Sequence, residues 1–348
     1  MNPKQTVQLV DPTGAASSSS SPYGVFATSN IAKGEILISV PERLIVSGNI
    51  RAGDEFELPC ETVDLILKEM EKGDTSFYAP YMRYLQSIPE GELPEAWSDA
   101  GRKLLTDLMG GDDSNSLFNG QHWLNKWNGQ VCDGINDPEG NRAALLVANR
   151  MEDGQMIPYL DFFNHRNGHS TNADSAVNAE TDSFMVVAKR NIREGEQIYM
   201  SRNMCFDCTH FETNGYGTPE LLRDHGFVED LPQRWNFNLA GKRRVFDLLE
   251  RRSGELEIEW VRSVPPKKGT EEQVGEHLQF LDEFAQKHSQ NTGDVPENEW
   301  NIIMKYHNAL TQSHNALLKN VRGSNHLQEH EDDMPVLDEH RVYWDRFE

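Results

Sequence analysis

Two stretches far apart in this 348-residue chain share one design. "GVFATSNIAKGEILISVP" (24–41) and "SFMVVAKRNIREGEQIYMS" (183–201) each read as a strand, a basic turn, a Gly-Glu pair and a second strand. Short apolar runs bounded by turn residues are strand signals, so the two stretches point to one β-rich core. The residues between them follow a different period. "ETVDLILKEMEKG" (61–73) puts Val63, Ile66, Leu67 and Met70 at helical spacing before a stopping glycine. "SFYAPYMRYLQSIP" reads as a second helix or turn, Ser98 starts a third helix through Leu104, Leu105 and Leu108, and "AALLVANRM" (143–151) is apolar and helical. A helical insertion inside a β core is therefore expected.

Residues 110–142 are rich in Gly, Asp and Asn and read as a variable excursion. Within them, Trp123 and Trp127 of "WLNKW" are either a substrate platform or core and seam packing, the commoner use of an aromatic pair at helical spacing. The stretch 15–22, "AASSSSSP", reads as a polar loop. In the last third, "GKRRVFDLLERRSGELEIEWVRSV", "VGEHLQFLDEFAQKH" and "WNIIMKYHNALTQSHNALLKNV" all read as helices, which predicts an all-helical C-terminal domain and a charged tail from about residue 323.

Fifty-six acids against 33 bases give a net charge of −23. That disfavours nucleic acid and anionic membranes as main partners, and suits basic protein segments as well as solubility. Four cysteines (Cys60, Cys132, Cys205, Cys208) are too few for a disulfide framework, so a reducing compartment is the default. Neither a secretory leader nor a membrane-length apolar run is visible. The expectation is a soluble, monomeric, intracellular protein, cytoplasmic first, with plastid or nucleus open.

Five pieces together carry a resemblance. "GVFATSNIAKGEILISVPERL" is similar to the opening strands of SET-domain methyltransferases. "LILKEMEKGDTSFYAPYMRYLQSIPEGELPEAWSD" resembles the helical insertion of the subgroup that includes the Rubisco large-subunit lysine, actin-histidine and ribosomal-protein methyltransferases. "IPYLDFFNH", "RNIREGEQIYMS" and "ELLRDHGFVED" follow in that subgroup's order. The resemblance spans about residues 20–320. It implies an α+β fold: a SET domain over 1–230 with an insertion at about 49–150, then a substrate-binding domain over 231–322. It also implies S-adenosylmethionine as cofactor and a protein side chain as acceptor, lysine first and histidine next.

By this resemblance Gly24 and Phe26 flank the cofactor, Arg150 faces its carboxylate, and Asp161, Asn164 and His165 form the Asp-x-x-Asn-His segment that holds its adenine and amino ends. A further contact is expected near Asn49. His225, at a second tyrosine position of the family, is grouped with these cofactor residues. The catalytic side departs from the pattern. The family's strand ends in a Ser-Tyr-Gly-like triplet whose tyrosine lines the lysine channel, and here the triplet is Ser201-Arg202-Asn203. A permanent cation there opposes a sulfonium and an ammonium alike. Three readings stand: catalysis is lost and binding kept, another tyrosine such as Tyr216 takes the role, or Arg202 is a variant at a tyrosine position. Cys205, Cys208 and His210 could form part of a zinc site, but the ligand set is incomplete and two packed thiols are the favoured reading.

Overall fold

The computed structural model describes residues 2–9, 23–48, 58–110, 123–129, 131–203, 216–261, 270–290 and 293–328. Its first strands are β1 (Gln5–Leu9), β2 (Tyr23–Ala27) and β3 (Ile36–Pro41). Five helices follow: α1 (Cys60–Glu71), α2 (Ala79–Ser87), α3 (Asp99–Leu108), α4 (Trp123–Trp127) and α5 (Pro138–Arg150). The chain then returns to strands as β4 (Met151–Glu152), β5 (Gln155–Met156), β6 (Asn164–His165), β7 (Ala173–Asn178), β8 (Ser183–Ala188) and β9 (Gln197–Met200).

The two Gly-Glu units are partners in space. β2 of the first pairs with β9 of the second, and β3 of the first with β8 of the second, both antiparallel. Between them the backbone bonds are reciprocal. Gly34 N–H donates to Ala188 O at 2.8 Å and Gly195 N–H to Ala27 O at 2.9 Å, while Ile31 and Ile192 exchange both bonds at 2.9 Å. Even the side chains match: Asn191 Oδ1 accepts from Lys33 N–H and Asn30 Oδ1 from Glu194 N–H. A local two-fold thus relates the units. Both turn glycines sit at φ 83°, a left-handed conformation open to glycine without a Cβ penalty. The sheets run β1-β2-β9-β6 and β3-β8-β7, and Val25, Leu37, Ile38, Val186 and Ile198 close one core between them.

The insertion has its own core of Val63, Ile66, Met82, Leu85, Ala144 and Val147, and it buries both Trp123 and Trp127. The tryptophans are therefore packing residues. α3 departs from this group. Its Leu104, Leu105 and Leu108 pack with Trp235, Phe246 and Tyr306 of the C-terminal third, and Ser98 at its N-terminus donates through both N–H and Oγ to Glu299.

That C-terminal third is not all-helical. After α6 (Thr218–His225) come three antiparallel strands, β10 (Gln233–Leu239), β11 (Lys242–Glu250) and β12 (Leu256–Trp260), and then α7 (Thr270–Lys287) and α8 (Glu297–Gln328). The helical expectation for 241–264 failed because Val245, Leu248 and Leu249 also fit a helical stripe. The decisive alternation is Phe246 and Leu248, both fully buried, against Asp247. The strands are joined at Ala240-Gly241, both at positive φ, the two-residue turn whose twist suits a hairpin.

The cysteine reading also needs correction. Cys60 and Cys132 form a disulfide with a Cα–Cα distance of 5.5 Å, closing 72 residues of sequence. Both belong to the insertion core, and sequence spacing holds no sign of such a pairing. No helix among the described residues is long and apolar enough to cross a membrane.

Candidate functional site

The site forms where α5 ends against the 159–165 segment. Tyr159 lies in the left-handed region at φ 74°, rare for a residue with a side chain, and is 52% exposed. The turn it makes sends Asp161 inward, where only 7% of the residue is exposed. Tyr81 of α2 donates its hydroxyl to Asp161 Oδ2 at 3.3 Å. Burial pushes the Asp161 carboxyl up to about 6, with the charges of Arg150 and Arg202 pulling the other way. The site thus centres on a buried carboxyl that Tyr81 hydrogen-bonds and on which the charges of Arg150 and Arg202 act.

Arg150 is the last residue of α5 and is buried. Its Nη2 donates to Glu92 Oε2 at 2.6 Å, and Asn149 Nδ2 reaches the same oxygen at 3.0 Å. Its Nη1 is buried with no hydrogen-bond partner. Glu92 reaches this place because Gly226, at φ 71°, caps α6: a Cβ there would stand 1.9 Å from the Glu92 carbonyl oxygen. The glycine of "DHGFVED" thereby packs the insertion against α6.

β6 lies parallel to β9, with Asn164 opposite Tyr199 and His165 opposite Met200. Asn164 Nδ2 donates to Tyr23 O at 2.9 Å, which ties the segment to the residue before Gly24 on β2. Gly24 and Phe26 therefore share a sheet with Asn164. His165 is used differently. Arg202 N–H donates to its Nδ1 at 3.0 Å, so Nδ1 carries the lone pair and Nε2–H donates to Glu229 Oε2 at 2.8 Å. Both ring nitrogens are thus spent inside the protein. Glu229, 0% exposed, also accepts from Asn167, Asn203, Thr218 and the Arg234 backbone. This carboxylate locks the 161–167 segment, the end of β9 and the start of β10 together.

Arg202 is half-buried at the end of β9, and its charge acts on Asp161, Glu152 and His225. His225 Nδ1 is 2.9 Å from Asn149 O, so it is the protonated nitrogen and Nε2 holds the lone pair. Burial, then the charge of Arg202, drive the imidazole well below its ordinary value, and the ring is neutral at pH 7. Tyr216 is elsewhere. Its hydroxyl donates to Asp224 Oδ2 at 2.9 Å, and Asp224 in turn holds Arg223 and Trp123 Nε1. The described contacts put Tyr216 in the seam between α6 and the insertion, not beside Asp161. Asn49, Cys205, Cys208 and His210 lie outside the described residues.

Sequence reasoning missed Tyr81, Glu92 and Glu229. Tyr81 and Glu92 sit in "YAPYMRYLQSIPEGELPEAW", where an acid next to a buried Leu-Pro pair is the available hint. Glu229 ends the apolar "GFV", a position where a polar residue needs partners if buried.

The SET-domain family model matches residues 22–201, just over half of the chain. The chain belongs to the SET-domain family. Among solved structures, one described as Rubisco LSMT bound to AdoMet aligns with a TM-score of 0.50 at 13% identity, covering 94% of this chain and 88% of that one. A second, the SET domain of LSMT bound to lysine and AdoHcy, gives 0.48 at 13% identity, with 94% and 87% covered. At this identity the likeness is one of fold, and it rests on the first of the two. No curated protein matches the sequence.

Proposed function

We propose that this chain is an S-adenosylmethionine-dependent protein methyltransferase whose preferred acceptor is a lysine side chain. The observation that carries the reading is Arg150 Nη1, a buried guanidinium N–H without a partner beside a buried carboxyl. A guanidinium is matched by a carboxylate, and the cofactor's methionine end carries one. When bound, the cofactor supplies a methyl group on a sulfonium. Arg150 would hold the carboxylate, with Glu92 fixing the other half of the fork. Asp161 would balance the cofactor's positive charge, and the Asn164–Gly24 edge would form the wall along which it lies, with Phe26 nearby. His165 contributes through its backbone, because its ring is spent on Glu229 and Arg202.

The acceptor amine must arrive neutral. Arg202 raises the cost of an ammonium beside it and so lowers the pKa of an entering amine. In this reading the arginine assists deprotonation where the family has a tyrosine. Residues 1–230 form the SET domain, and 231–322 the docking domain for a substrate with a basic segment. A second reading follows from the same residue: Arg202 repels the sulfonium as well, which favours a catalytically silent protein-binding module.

Radiolabel transfer from S-adenosylmethionine to a whole-cell extract decides between them. Labelled protein bands that are absent with Arg150→Met support the enzyme. Cofactor binding with no labelled band in extracts or on basic peptide arrays supports the silent module.

A further inference from the structure

The disulfide between Cys60 and Cys132 joins two elements on which α5 rests. Cys60 is the first residue of α1, and Cys132 follows α4. α1 and α4 both pack against α5. On the α4 side, Cys132 N–H donates to Lys126 O and Gly134 N–H to Trp127 O, both at 2.8 Å, and Trp127 Nε1–H donates to Ile135 O at 3.1 Å. The 131–135 loop is thereby wrapped on Trp127. Gly140, in the first turn of α5, sits so close to that side chain that a Cβ would stand 3.0 Å from its Nε1.

On the α1 side, Thr62 is fully buried and tied twice. Its Oγ1 accepts from Gly48 N–H at 2.9 Å and donates to Gly154 O at 3.1 Å. Gly154 turns the chain between β4 and β5, in the hairpin that directly follows Arg150, the last residue of α5. The bond therefore bears on both ends of α5: the loop that seats its start, and the helix that anchors the hairpin at its end.

Two observations separate a switch from a permanent staple. Cys60 keeps partial exposure, so a thiolate can reach its sulfur, whereas Cys132 is 4% exposed. The insertion also has an apolar core of its own, with Val63, Ile66, Ala144 and Val147 fully buried, which keeps α1 against α5 when the bond is open. Opening then loosens the helix end locally instead of unfolding the insertion.

We propose that Cys60–Cys132 is a redox switch that sets how firmly α5 presents Arg150, with a dithiol as its reductant. One thiolate of the dithiol attacks Cys60 Sγ, the S–S bond breaks, and Cys132 leaves as a thiolate that takes up a proton. The second thiol of the reductant attacks the mixed disulfide, gives up its proton and releases Cys60 as a thiol. Two electrons thus pass from the dithiol, oxidised to a disulfide, to the cystine, reduced to two thiols. The consequence for cofactor affinity rests on the function proposed above, and the loosening of α5 does not.

The test uses the full oxidised chain before and after excess dithiothreitol, with alkylation and peptide mapping reading Cys60 and Cys132 apart from Cys205 and Cys208. Amide hydrogen exchange over 140–156 should quicken about tenfold on reduction while exchange over β8 stays unchanged. S-adenosylhomocysteine should bind the reduced protein about fivefold more weakly, and oxidised glutathione should restore both readings. A chain carrying Cys60→Ala and Cys132→Ala should match the reduced protein and ignore the reductant. A bond that survives excess dithiothreitol, unchanged exchange over 140–156, or equal quickening over β8 overturns the switch, the last by showing a staple whose loss unfolds the core. Faster exchange over 140–156 with unaltered S-adenosylhomocysteine affinity overturns the link to Arg150. If the oxidised chain binds no S-adenosylhomocysteine at all, the proposed function fails, and the exchange measurement still decides the switch.

Discussion

Asp161 makes the sharpest quantitative claim. Its carboxyl is raised from 3.8 to about 6 by burial, so the folded chain holds this proton more tightly than the unfolded chain does. Below pH 3.8 both states are protonated and the group is neutral for stability. Between 3.8 and 6 the unfolded state ionises first, and stability falls as pH rises. Above 6 the folded state carries a buried charge at a cost of about 3 kcal/mol, from roughly 2.2 pKa units at 1.36 kcal/mol each. Asp161→Asn keeps an acceptor for Tyr81 and removes the ionisation. Urea unfolding of both proteins at pH 4.5 and pH 8 gives a double difference in which other contributions cancel. The variant should gain about 2 kcal/mol on the wild type between the two pH values, since about 1 kcal/mol of the penalty is already present at pH 4.5, and should bind S-adenosylmethionine about tenfold more weakly. That pattern marks a carboxyl kept at the expense of stability for a ligand. Parallel pH dependence of the two proteins would refute a buried, raised Asp161, and full cofactor affinity in the variant would refute its role.

Three further outcomes are expected. Cys60→Ser should destabilise by about 4 kcal/mol, from chain entropy over the 72-residue loop; a melting temperature unchanged by the substitution and by reductant would show that the bond does not form. Glu229→Ala should cost about 3–5 kcal/mol by stranding several buried donors, read as a lower urea midpoint, and a change under 1 kcal/mol would exclude the locking role given to it. In Arg202→Met the His225 imidazole should titrate at higher pH, because a positive charge that lowers its value is gone; an unmoved NMR titration would separate the two residues.

The β core was legible because its signal is local: an apolar run, a turn glycine and a second run, twice. That the units pair reciprocally was not legible, since partners so distant in sequence, such as Val25 with Ile198 and Ile36 with Val187, leave no mark in either stretch alone. The hairpin at 239–242 was misread because Val245, Leu248 and Leu249 satisfy two periods, and only pairing with β10 and β12 selects one. At the site, Arg150, Asp161 and Asn164 were expected by resemblance; the charges of Arg150 and Asp161 act on each other, while Asn164 bonds to the Tyr23 carbonyl. The partners that give them meaning, Glu92, Tyr81 and Glu229, come from distant segments as single acids or tyrosines, and a single polar residue carries no period. The same holds for Cys60 and Cys132, joined by the fold and not by spacing. Tyr216 was attractive for its place before Glu-Leu-Leu, yet its hydroxyl is committed to Asp224.

The central claim is that the unpartnered Nη1 of Arg150 receives the carboxylate of a bound cofactor. Titrating the protein with S-adenosylhomocysteine and with 5′-methylthioadenosine, which lacks the amino-acid end, measures that contact directly. The wild type should prefer the carboxylate-bearing ligand by about a hundredfold, and Arg150→Met should erase most of the preference. Equal affinity of the wild type for the two ligands, or an undiminished preference in the variant, would contradict the claim.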